Sequence, residues 1–225
     1  MRDRSDLNDR LAADRRCFLL EHAALPDRPL NVVWCALTDH VPTRIGELLD
    51  PAAPTLDASA ADTAAFYSIW NAEPGLEGLP GGRALIDGAV ALLRDELPGL
   101  STFVTLSPVP GLCAWLESQG VRHEPAADDL VRWTATYLVS LDEAGRPLDP
   151  VARFHLGNGA RLLAVRPLAD SSEQARAQSF GTMVNYRYGP EDRAANRAQL
   201  AAGSVPVAAD LGLRGEPDVE QVLDR

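Results

Sequence analysis

The stretch "TFVTLSPVPG", Thr102 to Gly111, runs as a strand of apolar and β-branched residues and stops at a serine followed by two prolines. A second stretch, "ARFHLGNGARL", places His155 at the end of a helical pattern, just before a Gly-Asn-Gly turn. A hydroxyl and an imidazole are the parts from which acid–base and nucleophilic chemistry is built. The histidine is a candidate proton donor because its ring titrates near neutral pH when unperturbed. Each residue also has an ordinary reading. Serine before proline is a common turn former, and a lone histidine is more often a core residue than a reacting one. The third stretch is "GLEGLPGGRALI". A glycine-rich turn opening a helix exposes free N–H groups and the positive end of the helix dipole, which suits a diphosphate. Gly81 and Gly82 allow close approach of a ligand to the backbone, and Arg83 adds a cation. The spacing is not G-x-G-x-x-G, so a Rossmann dinucleotide site is not expected.

These three stretches need elements to position them. "TAAFYSIWNAE", Thr63 to Glu73, is predicted to be a strand, and "RALIDGAVALLRDEL", Arg83 to Leu97, a helix with Leu85, Ala89, Leu92 and Leu93 on one face. Pro98 and Gly99 stop it. Thr102 to Leu106 is the next strand, so the order strand, glycine loop, helix, strand makes one crossover unit. Upstream, Asp6 to Arg15 reads as a lead-in helix, Cys17 to Glu21 and Leu30 to Leu37 as strands, and Thr43 to Leu49 as a short helix. Downstream, "PGLCAWLESQG" is a short helix. "DDLVRWTATYLVSL" is another, with Leu130, Trp133, Tyr137 and Leu138 at core spacing. "DPVARFHL" is a helix ending near Leu156, followed by a strand through Val165. "SFGTMVNYRY" is the last strand, and the tail after Gly189 is helical, then irregular. The fold class is α/β with a mixed central sheet flanked by helices, taken as a single domain over 1–225.

Composition narrows the chemistry. A net charge of −11 argues against nucleic-acid binding, which needs a basic face. No run of apolar residues is long enough for a membrane span. The first residues, "MRDRSDLNDRLAADRR", are charged throughout and lack the apolar core of a secretory leader, so the cytoplasm is the expected compartment. Cys17, Cys35 and Cys113 are three in number and far apart, which fits neither a disulfide framework nor a zinc site. All 21 basic residues are arginines. That removes a Walker phosphate loop, a pyridoxal Schiff base and any catalytic lysine.

Gly82-Arg83-Ala84 is similar to the loose phosphate loop of GNAT-like acyl-CoA enzymes. In that fold the loop follows one strand, the next strand splays away, and the pantetheine arm lies between the two. The likeness implies coenzyme A contacts at Gly81, Gly82, Arg83 and Ala84, and at Leu106 where the second strand ends. Such enzymes often place a tyrosine near the thioester sulfur, at the position that His155 holds here.

The longer stretches resemble the catalytic domain of the malonyl-CoA decarboxylase family. They are "HAALPDRPL", "FYSIWNAEPGLEG", "FVTLSPVPG", "LDPVARFHLGNGARL" and "LADSSEQARAQSFGTMVNYRY", in family order from about Asp14 to Asp210. The resemblance implies a GNAT-like fold, no metal or redox cofactor, and conversion of malonyl-CoA to acetyl-CoA and CO2. Coenzyme A would enter only as part of the substrate. The family's serine and histidine map onto Ser107 and His155, and a tyrosine near its active site onto Tyr186, next to Asn185. Two departures stand out. Family members usually carry an N-terminal helical domain that helps to build the oligomer, and this chain starts at the catalytic domain, so a homo-oligomer stays an open expectation. Pro80 stands in the glycine loop where the family often has another residue, and it removes one N–H donor.

Decarboxylation of a malonyl thioester leaves an enolate, so fixed donors are expected around the acyl group. Ser107 would bond the departing carboxylate and hold it out of the thioester plane, and His155 would protonate the enolate carbon. No acidic third member is visible, which weakens a hydrolytic triad. Two rivals remain at this level. One is an acyltransferase that passes the acetyl group to an acyl carrier protein or an amine. The other is an acyl-CoA-binding protein without turnover.

Overall fold

The computed structural model of the chain describes residues 11–72, 75, 81–209 and 211. It divides into two compact units, Met1–Leu106 and Ser107–Arg225.

The first unit is built on a four-stranded mixed sheet. Strand β1 (Arg15–Leu20) runs antiparallel to β2 (Asn31–Thr38), and β2 antiparallel to β3 (Thr63–Asn71). Strand β3 runs parallel to β4 (Thr102–Thr105). Between β1 and β4 lie a short helix, α1 (Ile45–Leu49), and the crossover helix α2 (Gly81–Glu96). Strand β2 is buried from Asn31 to Leu37, as its unbroken apolar run demands. Helix α2 packs on β1, β2 and β3. Its buried stripe is Leu85, Ile86, Ala89, Val90 and Leu93. Leu92, predicted to face the core, is 61% exposed. At about 100° per residue the stripe extends toward Ile86 and Val90, and Leu92 falls just past its opposite margin.

The second unit has a three-stranded antiparallel sheet with β7 (Met183–Arg187) in the middle, flanked by β5 (Ser107–Pro108) and β6 (Arg161–Arg166). Its helices are α3 (Leu112–Ser118), α4 (Ala127–Val139), α5 (Pro150–Gly157), α6 (Glu173–Ser179) and α7 (Arg193–Ala201). Helix α4 buries Leu130, Trp133, Tyr137 and Leu138, as its spacing predicts. Trp115 of α3 meets Trp133 edge-on at 5.8 Å and Tyr137 at 5.2 Å.

The structure corrects three local expectations. Residues 6–10 of the predicted lead-in helix, and Pro80, lie outside the described residues. The described remainder of that helix is turn up to Asp14, and Arg15 already opens β1 opposite Ala36. Asp14 explains the change: its buried carboxylate takes the Leu56 N–H at 3.0 Å and the Arg15 guanidinium at 2.8 Å, which fixes an extended entry. Next, the strand expected over Thr102–Leu106 ends at Thr105, and Leu106 donates its N–H to the Phe66 carbonyl at 3.0 Å. Finally, "SFG" is not strand. Ser179 closes α6, and Phe180 takes a left-handed conformation as the helix cap. Helix α6 itself is set off by Ser172, whose hydroxyl accepts the Ala175 N–H.

Candidate active site

Helix α5 presents His155. Asp149 caps its N-terminus, accepting the N–H groups of Val151 at 2.9 Å and Ala152 at 2.8 Å, and Pro150 follows as a natural first residue. Ala152, His155 and Leu156, at i, i+3 and i+4, form the buried face of these two turns. The Ala160 N–H bonds the His155 carbonyl at 3.1 Å and so closes the helix end. Ser107 comes from β5, directly opposite Val184 of β7. Facing residues in an antiparallel pair share one face of the sheet, and side chains two apart along a strand share it too. Ser107, Val184 and Tyr186 therefore point the same way.

The two predicted residues meet. Ser107 Oγ and His155 Nε2 share a hydrogen bond of 3.0 Å, with Ser107 5% and His155 4% exposed. The other ring nitrogen, Nδ1, lies 2.8 Å from the Tyr188 hydroxyl. Tyr186 stacks on the imidazole, with ring centroids 4.6 Å apart and planes at 27°. Tyr188 stands edge-on to the ring at 6.0 Å, and the Arg193 guanidinium lies over the Tyr188 ring at 5.3 Å.

No carboxylate bonds the imidazole. Its two in-plane partners are neutral hydroxyls, so burial has nothing to oppose it and pushes the His155 pKa down to about 3. The ring is neutral at physiological pH. The near-neutral titration expected of an exposed histidine does not survive this environment. Burial also pushes the phenols of Tyr186 and Tyr188 upward, and the Asn158 side chain partly opposes this at Tyr188. Both therefore stay protonated. The arrangement can hold a neutral imidazole in one orientation, with a hydroxyl at each nitrogen, and can donate protons to an oxyanion or a carbanion.

Tyr188 and Asp149 are absent from the sequence reading. Both left a signal: "NYRY" puts Tyr186 and Tyr188 on one strand face, and Asp-Pro ahead of an apolar helical run marks an N-cap. The remaining predicted residues belong to the first unit. Gly81 to Ala84 form the first turn of α2. Gly82 is buried, and a Cβ on Gly81 would overlap the Asn31 side-chain oxygen, so glycine is required there. Arg83 is half exposed and lies 3.7 Å from Asp87. Leu106 is fully buried. Among the described residues no three His, Cys, Asp or Glu side chains group as metal ligands, and no helix is long and apolar enough to cross a membrane.

Residues 1–144 and 121–217 match the family model described as the malonyl-CoA decarboxylase C-terminal domain. The mitochondrial malonyl-CoA decarboxylase of Anser anser anser is 32% identical over 97% of this chain and 51% of that protein. The Rattus norvegicus enzyme is 30% identical over 85% of this chain and 49% of its own length. The chain thus spans about half the length of the curated relatives it matches. Among solved structures, malonyl-CoA decarboxylase from Agrobacterium vitis superposes with a TM-score of 0.87 at 38% identity, covering 96% of this chain and 61% of that one. The Rhodopseudomonas palustris enzyme gives 0.85 at 40% identity, covering 94% and 55%. The GNAT-like decarboxylase GphF, in complex with isobutyryl-CoA, gives 0.53 at 19% identity over 82% of this chain and 81% of its own, a likeness of fold.

Proposed function

The chain belongs to the malonyl-CoA decarboxylase family, over that family's C-terminal domain, and from this premise we propose that it converts malonyl-CoA to acetyl-CoA and CO2. The observation that carries the proposal is the buried contact of Ser107 Oγ with the Nε2 of a neutral His155, with a tyrosine hydroxyl at Nδ1.

A neutral imidazole has one donor nitrogen and one acceptor. In the proposed polarity the Tyr188 hydroxyl donates to Nδ1, and Nε2–H donates to Ser107 Oγ. The Ser107 proton is then free to bond the carboxylate of the malonyl group and hold it perpendicular to the thioester plane. In that geometry the breaking C–C bond overlaps the carbonyl π system. Loss of CO2 leaves its electron pair on the thioester as an enolate. The enolate carbon takes the Nε2 proton, and Nδ1 takes the Tyr188 proton in the same motion, so no imidazolate forms. One solvent proton then restores the tyrosine. Tyr186, stacked on the ring, prevents the imidazole from tilting. Preorganised donors of this kind commonly contribute about 3 kcal/mol each to transition-state stabilisation. No metal or organic cofactor takes part, and the first turn of α2, Gly81 to Ala84, is assigned to the diphosphate of coenzyme A.

Mass analysis of malonyl-CoA after exposure to the purified protein tests the assignment. Acetyl-CoA is the expected product. Free coenzyme A with malonate would mean thioester hydrolysis through Ser107, and unchanged malonyl-CoA would leave binding alone; either overturns the proposal.

A further inference from the structure

Helix α5 needs a capping oxygen, and a serine would provide one without burying a charge. Asp149 is nevertheless fully buried, and a buried carboxylate is costly unless it does more than cap. Its Oδ1 accepts both capping N–H groups. Its Oδ2 has no hydrogen bond of good geometry among the described residues, and the Gly111 N–H and the Tyr137 hydroxyl act on the same carboxylate. Gly111 and Tyr137 are themselves in close contact, since a Cβ on Gly111 would overlap the Tyr137 hydroxyl. Gly111 lies four residues after Ser107 in "SPVPG". Pro108 and Pro110 fix φ at two of the intervening positions, and Val109 and Leu112 are fully buried. That segment is a stiff arm. Displacing Gly111 displaces Ser107, and displacing the cap displaces His155. The influence of Asp149 extends to the site, since its charge acts on Tyr186, the ring stacked on His155.

We propose that Asp149 is a positioning residue whose two oxygens join the Ser107 arm to the His155 helix and thereby set the Ser107–His155 contact. The kinetic side of this inference rests on the decarboxylase reading; the structural side does not. Asp149→Ser separates the two oxygens, keeping a cap and removing the link. The expected result is a folded protein with its melting temperature within a few degrees of wild type. Its kcat for malonyl-CoA falls at least about tenfold with KM within about twofold, as misplacement of reacting groups by a fraction of an ångström requires. The hydrogen-bonded Nε2 proton of His155, followed by 15N-edited NMR without substrate, is lost or shifted. Tyr137→Phe removes one of the two groups facing the carboxylate, giving a smaller kcat loss and no further loss when added to Asp149→Ser. Wild-type kcat with an unmoved His155 proton in Asp149→Ser overturns the proposal, as does additivity of the two substitutions. If Asp149→Ser does not fold, Tyr137→Phe decides alone: a kcat deficit with a shifted proton supports the link, and wild-type behaviour in both overturns it. A wild-type protein without decarboxylase activity would sink the functional reading, and the NMR comparison would still decide the positioning role.

Discussion

His40 and His155 carry the same ring in opposite surroundings. His40 is exposed and lies between two carboxylates, Asp39 at 2.6 Å and Glu47 at 3.2 Å. The hydrogen bond to Asp39 raises its pKa above the ordinary value, with a smaller contribution from Glu47. His155 is buried between two hydroxyls and falls to about 3. The first ring is a surface cation in waiting. The second is a neutral donor and acceptor held in register. The difference shows what the second unit does to its histidine: it removes water without supplying an anion, so the proton that the ring can give is the one on a neutral nitrogen.

The largest effect expected from breaking this contrast comes at the pair itself. Ser107→Ala and His155→Asn should each lower kcat for malonyl-CoA at least about a hundredfold, the scale of a lost oxyanion donor or general acid. Steady-state kinetics on folded protein checks this. Tyr188→Phe should come next, with a loss of about ten- to a hundredfold in kcat. It also leaves a buried ring nitrogen without a partner, at a cost of about 1–3 kcal/mol in denaturant unfolding.

The third effect is on stability against pH. The folded state holds His155 neutral down to about pH 3, while the unfolded chain protonates it near 6.5. Between those values the unfolded state binds more protons, so stability falls as pH falls through 6.5 toward 3, by at most about 1.4 kcal/mol per pH unit from this group. His155→Gln should flatten that limb in unfolding measurements from pH 7 to 4. His40 has the opposite sign. Its contribution is present below about 6.5 and is lost as pH rises through its raised folded value. It is solvent-exposed, so the smallest effect is expected there: His40→Gln should leave kcat unchanged and cost well under about 1 kcal/mol.

The pairing of Ser107 with His155 was legible because each sits in a long specific stretch at the end of a readable element. The crossover unit was legible for the same reason, since an apolar run, a glycine turn and an amphipathic helix each carry a local signal. What was not legible depends on phase and burial. The resemblance pointed to one tyrosine, Tyr186, but strand alternation puts Tyr186 and Tyr188 on one face. Only packing decides that the former stacks on the ring while the latter reaches Nδ1. The neutral state of His155 was hidden because the residues that bury it come from elsewhere in the chain. Leu92 was misread because a helix stripe has a centre that spacing alone does not locate. Asp149 announced itself as a cap, but the convergence of Gly111 and Tyr137 on its carboxylate is a tertiary event.

Turnover of malonyl-CoA in D2O, with wild type and Ser107→Ala side by side, bears most directly on the central claim. The account predicts acetyl-CoA carrying one deuterium on its methyl carbon, formed at least about a hundredfold faster by the wild type. Equal rates from the two proteins, or release of coenzyme A and malonate instead, would contradict it.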